Sequence, residues 1–175
     1  MNSLILRQLH DLTSGTYTYL LADPASCQAV LIDPVFEQVV RDVALLRELG
    51  LTLRYTLETH VHADHVTSAW LLQQQLGSQI VVARAGNTTG ADRPVEDGDV
   101  IEVGALRLTV RATPGHTNGC VTYVTSDQRM AFTGDALLIR GAGRTDFQEG
   151  NAATLFHSIH DVILDRKSTR LNSSH

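Results

Sequence analysis

Thr59-His60-Val61-His62-Ala63-Asp64-His65 places three histidines and an aspartate within six consecutive positions. Packing alone has no use for so dense a run of polar side chains, and imidazole nitrogens with a carboxylate oxygen are good ligands for Zn(II) or Fe(II). In an extended chain His60 and His62 share one face, and a turn swings Asp64 and His65 to a neighbouring point. The plainer alternative is a solvated loop that histidines merely decorate, against the general rule that clusters of these residue types mark metal sites. Residues 51–57 read as a strand and 66–76 as a helix ended by Gly77, so the cluster occupies a strand-to-helix loop.

Further from the cluster, Phe36, Val39, Val40, Val43, Leu46 and Leu49 recur at helical spacing before Gly50, which predicts an amphipathic helix over 36–49. Residues 4–9, 16–22 and 29–32 are short β-rich runs parted by Ser14-Gly15 and Asp23-Pro24, the pattern of an antiparallel meander. Beyond the cluster, strands are predicted at 79–83, 100–103, 106–112, 120–124 and 129–132, with a turn at Asp97-Gly98, and a last helix from Asn151 as N-cap to Leu164. Many strands with a few helices make a mixed α/β pattern whose sheets must be covered on their outer faces. There is no internal repeat.

The chain has 175 residues, 43% of them apolar and 19% charged, within the range of one globular domain and too rich in aliphatic residues for disorder. A formal charge of -5 argues against a nucleic-acid partner, which asks for a clustered basic face. Cys27 and Cys120 stand 93 positions apart, so they form neither a disulfide framework nor a Cys-x-x-Cys pair. No basic leader precedes an apolar stretch, and no run reaches about 18 apolar residues. The expectation is a cytoplasmic protein that engages no membrane.

Two further residues belong with the cluster. His116 lies in Thr113-Pro-Gly-His-Thr-Asn-Gly119, a loop ahead of an apolar strand, and Asp135 follows Gly134 in Phe132-Thr-Gly-Asp-Ala136. Taken singly, His116 is ambiguous and an Asp after a Gly is more often a turn residue. His157 and His160 lie three apart on the last predicted helix and read as ordinary packing or solvent-facing residues. Cys120 opens an apolar strand and Cys27 follows a turn, so neither is a candidate nucleophile.

Taken in order, Thr59-His-x-His-x-Asp-His65, Pro114-Gly-His-Thr117 and Phe132-Thr-Gly-Asp135 closely resemble the metallo-β-lactamase superfamily, over roughly residues 1–165. That resemblance implies an α/β (α+β) fold, an αββα sandwich of two mixed β-sheets flanked by helices, with a metal centre at the edge between the sheets. Residues 130–150, with Ala29-Val-Leu-Ile-Asp-Pro34 and Gly115-His-Thr-Asn-Gly-Cys-Val121, look like its persulfide dioxygenase (sulfur dioxygenase) branch. What that branch implies is one Fe(II) held by His60, His116 and Asp135, with glutathione persulfide and O2 as substrates and sulfite and glutathione as products. His62, Asp64 and His65 are then outer groups hydrogen-bonded to the ligands or to water, or alternatively a second metal site. Arg144 matches the position on the glutathione side, where a guanidinium suits a carboxylate, although a loop arginine is as readily a solvated one. Asp146 would orient it, and Thr117 is a weaker candidate for a substrate hydrogen bond.

The runner-up implied by the same motifs is a Zn(II) thioester hydrolase similar to glyoxalase II, and a third reading is a non-catalytic fragment. The sequence departs from the branch at Asn118, where proline is common. It also departs at the end, since family members continue past the last helix through a strand and another His-containing motif. The absence of that second-site ligand favours one iron over two zincs, and a lost strand would bare an edge open to association, such as a homodimer. Residues 166–175 are polar and aperiodic, and are expected to be a disordered or foreign tail outside the domain.

Overall fold

In the computed structural model, which describes residues 4–165 and the backbone of 170–172, β1 (Ile5–His10), β2 (Tyr17–Asp23) and β3 (Gln28–Ile32) form the predicted antiparallel meander. The chain then crosses over twice in parallel. From β3 it passes through α1 (Val39–Glu48) to β4 (Thr52–Leu57), and from β4 through α2 (Ala69–Leu76) to β5 (Gln79–Ala83). With β6 (Arg93–Val95) the first sheet has six strands in sequential order. The second sheet is built from β7 (Val100–Val103), β8 (Leu106–Ala112), β9 (Val121–Thr125) and β10 (Met130–Phe132), all antiparallel.

Alternation along the strands sorts side chains between two apolar layers. Tyr19, Leu21, Val30 and Ile32 face the second sheet and meet Ile101, Val103, Leu108, Val110, Tyr123 and Phe132 in the core of the sandwich. Leu20, Ala22, Ala29 and Leu31, the intervening residues, face outward and are covered by Val43 and Leu46 of α1 and Leu72 of α2. Strands buried on both faces read as unbroken apolar runs, as β2 and β3 do. On the other side α3 (Ala152–His157) continues through a π-helical turn over Ser158–Ile163 and packs Leu155 and Ile163 against Ala136. Asn151 caps it as predicted, its side chain accepting from the Thr154 amide at 3.0 Å. The result is the expected αββα sandwich of two mixed sheets.

Three differences from the sequence reading have local causes. The helix predicted over 66–76 starts only at Ala69, because Val66 and Ser68 are tied to the chain ahead of α1. The Phe36 amide donates to the Val66 carbonyl at 2.8 Å and the Ser68 amide to the Pro34 carbonyl at 2.9 Å. Strand β6 has no counterpart in the prediction. It contains Pro94, which argues against a central strand but is tolerated at a sheet edge, where β6 lies. Finally, Arg170–Asn172, inside the segment expected to be irregular, forms β11, a strand parallel to β10 at the margin of the second sheet. The rest of that segment, 166–169 and 173–175, lies outside the described residues.

Candidate metal centre

Three loops meet at one edge of the sandwich. The loop after β4 is held between the sheets by backbone bonds from Glu58 N to Val81 O at 3.0 Å and from Val121 N to Thr59 O at 2.8 Å. The β8–β9 loop is closed by Thr113 N to Cys120 O at 2.9 Å and Gly115 N to Thr117 O at 3.0 Å. After β10 a single 3₁₀ turn, Gly134–Ala136, carries Asp135. Gly134 has φ +48, and a Cβ there would lie 2.3 Å from Thr59 Oγ1, so only glycine lets this turn approach the His60 loop so closely.

His60, His116 and Asp135 each bring one ligand atom within 4.8 Å of the others. Asp135 Oδ2 lies 3.5 Å from His116 Nε2 and 4.0 Å from His60 Nε2. Ligand atoms sharing one ion at about 2.0–2.2 Å stand roughly 3–3.5 Å apart, so this set closes on an ion with small movement. The His116 Nδ1 lies 2.8 Å from the Arg144 carbonyl, an acceptor only, which commits the proton to Nδ1 and leaves the Nε2 lone pair facing Asp135. A Cβ on Gly143 would lie 2.8 Å from the His116 Nδ1, so the chain ahead of that carbonyl must be bare. Burial, and then the neighbouring His62, pushes the His60 pKa down to about 3, so its ring is neutral and able to ligate at neutral pH. Two imidazoles and one carboxylate fit a divalent transition metal.

The remainder of the cluster is arranged differently. His62, Asp64 and His65 gather within 4.8 Å, as do Asp33, Glu58 and His62. His62 Nε2 is 3.1 Å from Asp33 Oδ1 and 3.5 Å from Glu58 Oε2, while Thr16 Oγ1 reaches Asp64 Oδ2 at 2.9 Å and His65 Nδ1 at 3.2 Å. Burial disfavours charge on His62, but the Asp33 carboxylate outweighs it and raises the imidazole well above its ordinary value. Burial likewise opposes charge on Asp64, and its hydrogen bonds to His62 and His65 overcome that and hold it low. His65 Nε2 is buried without a hydrogen-bond partner, which leaves one further ligand atom on this side. A cavity of about 450 Å³ opens beside His60, His62, His65 and Trp70, and its walls include neither His116 nor Asp135, so it flanks the first group rather than containing it.

The family model described as the Metallo-beta-lactamase superfamily matches residues 13–172. The chain belongs to that superfamily. It is 56% identical over 161 residues to the persulfide dioxygenase ETHE1, mitochondrial, of Bos taurus, a match that covers 91% of this chain and 63% of the relative. A hydroxyacylglutathione hydrolase of Brucella ovis is 35% identical, covering 93% of this chain and 62% of that one. The crystal structure of ETHE1 from Myxococcus xanthus superposes with a TM-score of 0.94 at 47% identity, over 98% of this chain and 75% of that one. The chain thus spans a little under two thirds of the length of these curated relatives.

Within the superfamily fold the structure unites three of the residues singled out in the sequence, His60, His116 and Asp135, across three loops. It sets His62, Asp64 and His65 apart as a second group, with hydrogen bonds running to Asp33 and Thr16. Arg144 is 63% exposed, and its guanidinium grips Asp146 with two bonds of 2.8 and 3.0 Å, the pairing expected from sequence. Thr117 is buried, with its hydroxyl 3.2 Å from Cys120 Sγ. Burial raises the Cys120 thiol pKa, in keeping with its exclusion as a nucleophile. His157 is exposed and pairs with Asp161 at 2.9 Å. Asp33, Glu58, Thr59 and Thr16 were assigned no role from sequence. Asp33 and Thr59 were present there only as members of quoted segments, Ala29-Val-Leu-Ile-Asp-Pro34 and Thr59-His-x-His-x-Asp-His65. Among the described residues no helix is long and apolar enough to cross a membrane.

Proposed function

We propose that this protein is a persulfide dioxygenase, which oxidises glutathione persulfide with O2 to sulfite and glutathione, with one Fe(II) held by His60, His116 and Asp135. The observation that carries the reading is the separation of the cluster into two kinds of group. One is a two-histidine, one-carboxylate set with its ligand atoms turned on each other, the set suited to non-haem Fe(II), while the other is tied by hydrogen bonds to Asp33 and Thr16. The greater likeness to a persulfide dioxygenase than to a hydroxyacylglutathione hydrolase, 56% against 35% identity, supports it.

Bound iron supplies the redox chemistry that joins O2 to sulfur. In the proposed reaction both atoms of O2 would end on the terminal sulfur, and water would add the third oxygen as the sulfur–sulfur bond breaks, its protons going to the glutathione thiolate and to sulfite. The chain's part is to hold the reacting groups. His60 stays neutral because it is buried, and the Arg144 carbonyl keeps His116 in one tautomer. The exposed Arg144 guanidinium exchanges Asp146 for a glutathione carboxylate, a charge-assisted contact suited to its planar fork. The two free cysteines fit a reducing compartment such as the cytoplasm.

A zinc thioester hydrolase is the second reading, favoured by the ligand atoms of His62, Asp64 and His65 within reach of one another. Oxygen uptake by the Fe(II)-loaded, folded chain on addition of glutathione persulfide, with sulfite formed, is the expected result. Stoichiometric zinc with turnover that ignores O2 would replace the dioxygenase by the hydrolase.

A further inference from the structure

We infer that Asp33 and Thr59 are positioning residues that fix the tautomer of His60, committing its proton to Nδ1 so that the Nε2 lone pair faces the metal. The inference rests on the reading of His60 as a ligand. Asp33 Oδ1 accepts the Thr59 amide at 2.7 Å, and Asp33 Oδ2 lies 2.8 Å from Thr59 Oγ1. A carboxylate that takes the amide on one oxygen, with His62 on the same oxygen at 3.1 Å, can only accept on the other. The single hydroxyl proton of Thr59 is therefore spent on Asp33.

What remains on Thr59 Oγ1 is a lone pair, and His60 Nδ1 sits 2.9 Å from it. That nitrogen must be the donor. In the opposite arrangement Thr59 would donate to a bare Nδ1 and meet Asp33 Oδ2 lone pair against lone pair, in a site where both residues are 99% buried and an unsatisfied polar atom is costly. The two ligand imidazoles reach the same tautomer by different routes, His116 through a backbone carbonyl and His60 through a hydroxyl whose direction a carboxylate sets.

Backbone geometry points the same way. Asp33 has φ +50, a left-handed conformation that a non-glycine residue holds only where its surroundings insist on it, and such strain gathers at functional sites. Gly134 closes the relay from the other side, since a Cβ there would fall 2.3 Å from Thr59 Oγ1 and 3.3 Å from His60 Nδ1. The turn that carries Asp135 thereby rests on the hydroxyl that orients His60.

Asparagine tolerates the left-handed conformation, so Asp33→Asn keeps the backbone while reversing the relay. Its amide nitrogen donates to Thr59, the hydroxyl turns to His60, and the proton moves to Nε2. Long-range ¹H–¹⁵N spectra of the metal-free, histidine-labelled chain read the tautomer directly, and titration with Fe(II), or with Co(II) as a spectroscopic stand-in, reads affinity. Wild type and Thr59→Ser should both show Nδ1-protonated His60. Asp33→Asn should show the Nε2 form, with affinity lower by about 10–100-fold and the His116 signals unchanged. Nε2-protonated His60 in wild type, or an Asp33→Asn chain with wild-type tautomer and affinity, overturns the inference. If Asp33→Asn does not fold, Thr59→Val against Thr59→Ser decides, because a valine chain that matches serine in tautomer and affinity overturns it equally. A wild-type chain that binds no metal refutes the ligand reading, while its spectra still decide the relay.

Discussion

The two groups at the edge of the sandwich contain the same residue types, yet they commit their protons differently. In His60, His116 and Asp135 the histidines spend Nδ1 on neutral partners outside the group, Thr59 and the Arg144 carbonyl, which turns their Nε2 atoms towards Asp135. In the neighbouring group His62 lies between the buried carboxylates of Asp33 and Glu58, and Thr16 joins Asp64 to His65. Under the proposed assignment, outer partners that occupy the Nδ1 atoms present the histidine Nε2 atoms to an ion, whereas in the second group histidines and carboxylates bond mainly to one another and to Thr16.

Changing a residue of the first group tests the contrast most severely. His116→Ala or Asp135→Ala should abolish stoichiometric metal and lower oxygen uptake by more than about a hundredfold, beyond the 10–100-fold typical of outer partners. Metal analysis of the folded variant checks this, and full metal content would end the assignment. In the second group His62→Ala should act on stability instead. It strands two buried carboxylates, Asp33 and Glu58, at a cost of about 3–5 kcal/mol, while the metal bound per folded chain stays the same. Urea melts with metal analysis separate the two effects, and loss of metal without loss of stability would merge the groups.

The groups should also part company in pH dependence when metal is removed. Since Asp33 holds His62 above its ordinary 6.5 against the cost of burial, the stability His62 contributes is complete below 6.5 and is lost as pH rises through the raised value. His60 behaves in the opposite sense. With its pKa near 3, the unfolded chain takes up a proton below 6.5 that the folded chain refuses, so stability falls as pH drops from 6.5 towards 3. Melting temperatures of the metal-free chain should thus decline on both sides of about pH 6.5. His62→Gln should remove the alkaline flank and His60→Gln should shrink the acid one, and a His62→Gln chain that keeps its alkaline flank would break the comparison. The smallest effect is expected at Arg144, whose carbonyl serves the first group while its guanidinium stays in solvent. Arg144→Ala should leave metal content unchanged and raise KM for glutathione persulfide roughly tenfold, the loss of one charge-assisted contact.

Much of the fold could be read along the chain because its period-two patterning is local. The boundaries of β5, β7 and β8 coincide with those expected, and β2 and β3 differ by a residue. The errors came where long-range contact overrode local preference. Val66–Ser68 carries a helical pattern but is drawn out by Pro34 and Phe36, and the Pro94 strand is permitted only because it lies at an edge. In the site, the three ligands of the proposed centre were legible because each sits in a motif of its own. Thr117 has its hydroxyl beside Cys120 Sγ, a partner inside the same tight loop that its spacing in the sequence did not announce.

By itself, then, the sequence determined the superfamily, the order of strands and helices, and the candidate ligands His60, His116 and Asp135, since all of these rest on residue type and short spacing. Only the tertiary structure decided that His62 leaves the run to join Asp33 and Glu58, and that Asp33 governs Thr59. Those bonds join residues 26 and 29 positions apart. Only when β3 and β4 lie side by side does one carboxylate come within reach of both, and its lone pairs then dictate where their protons go.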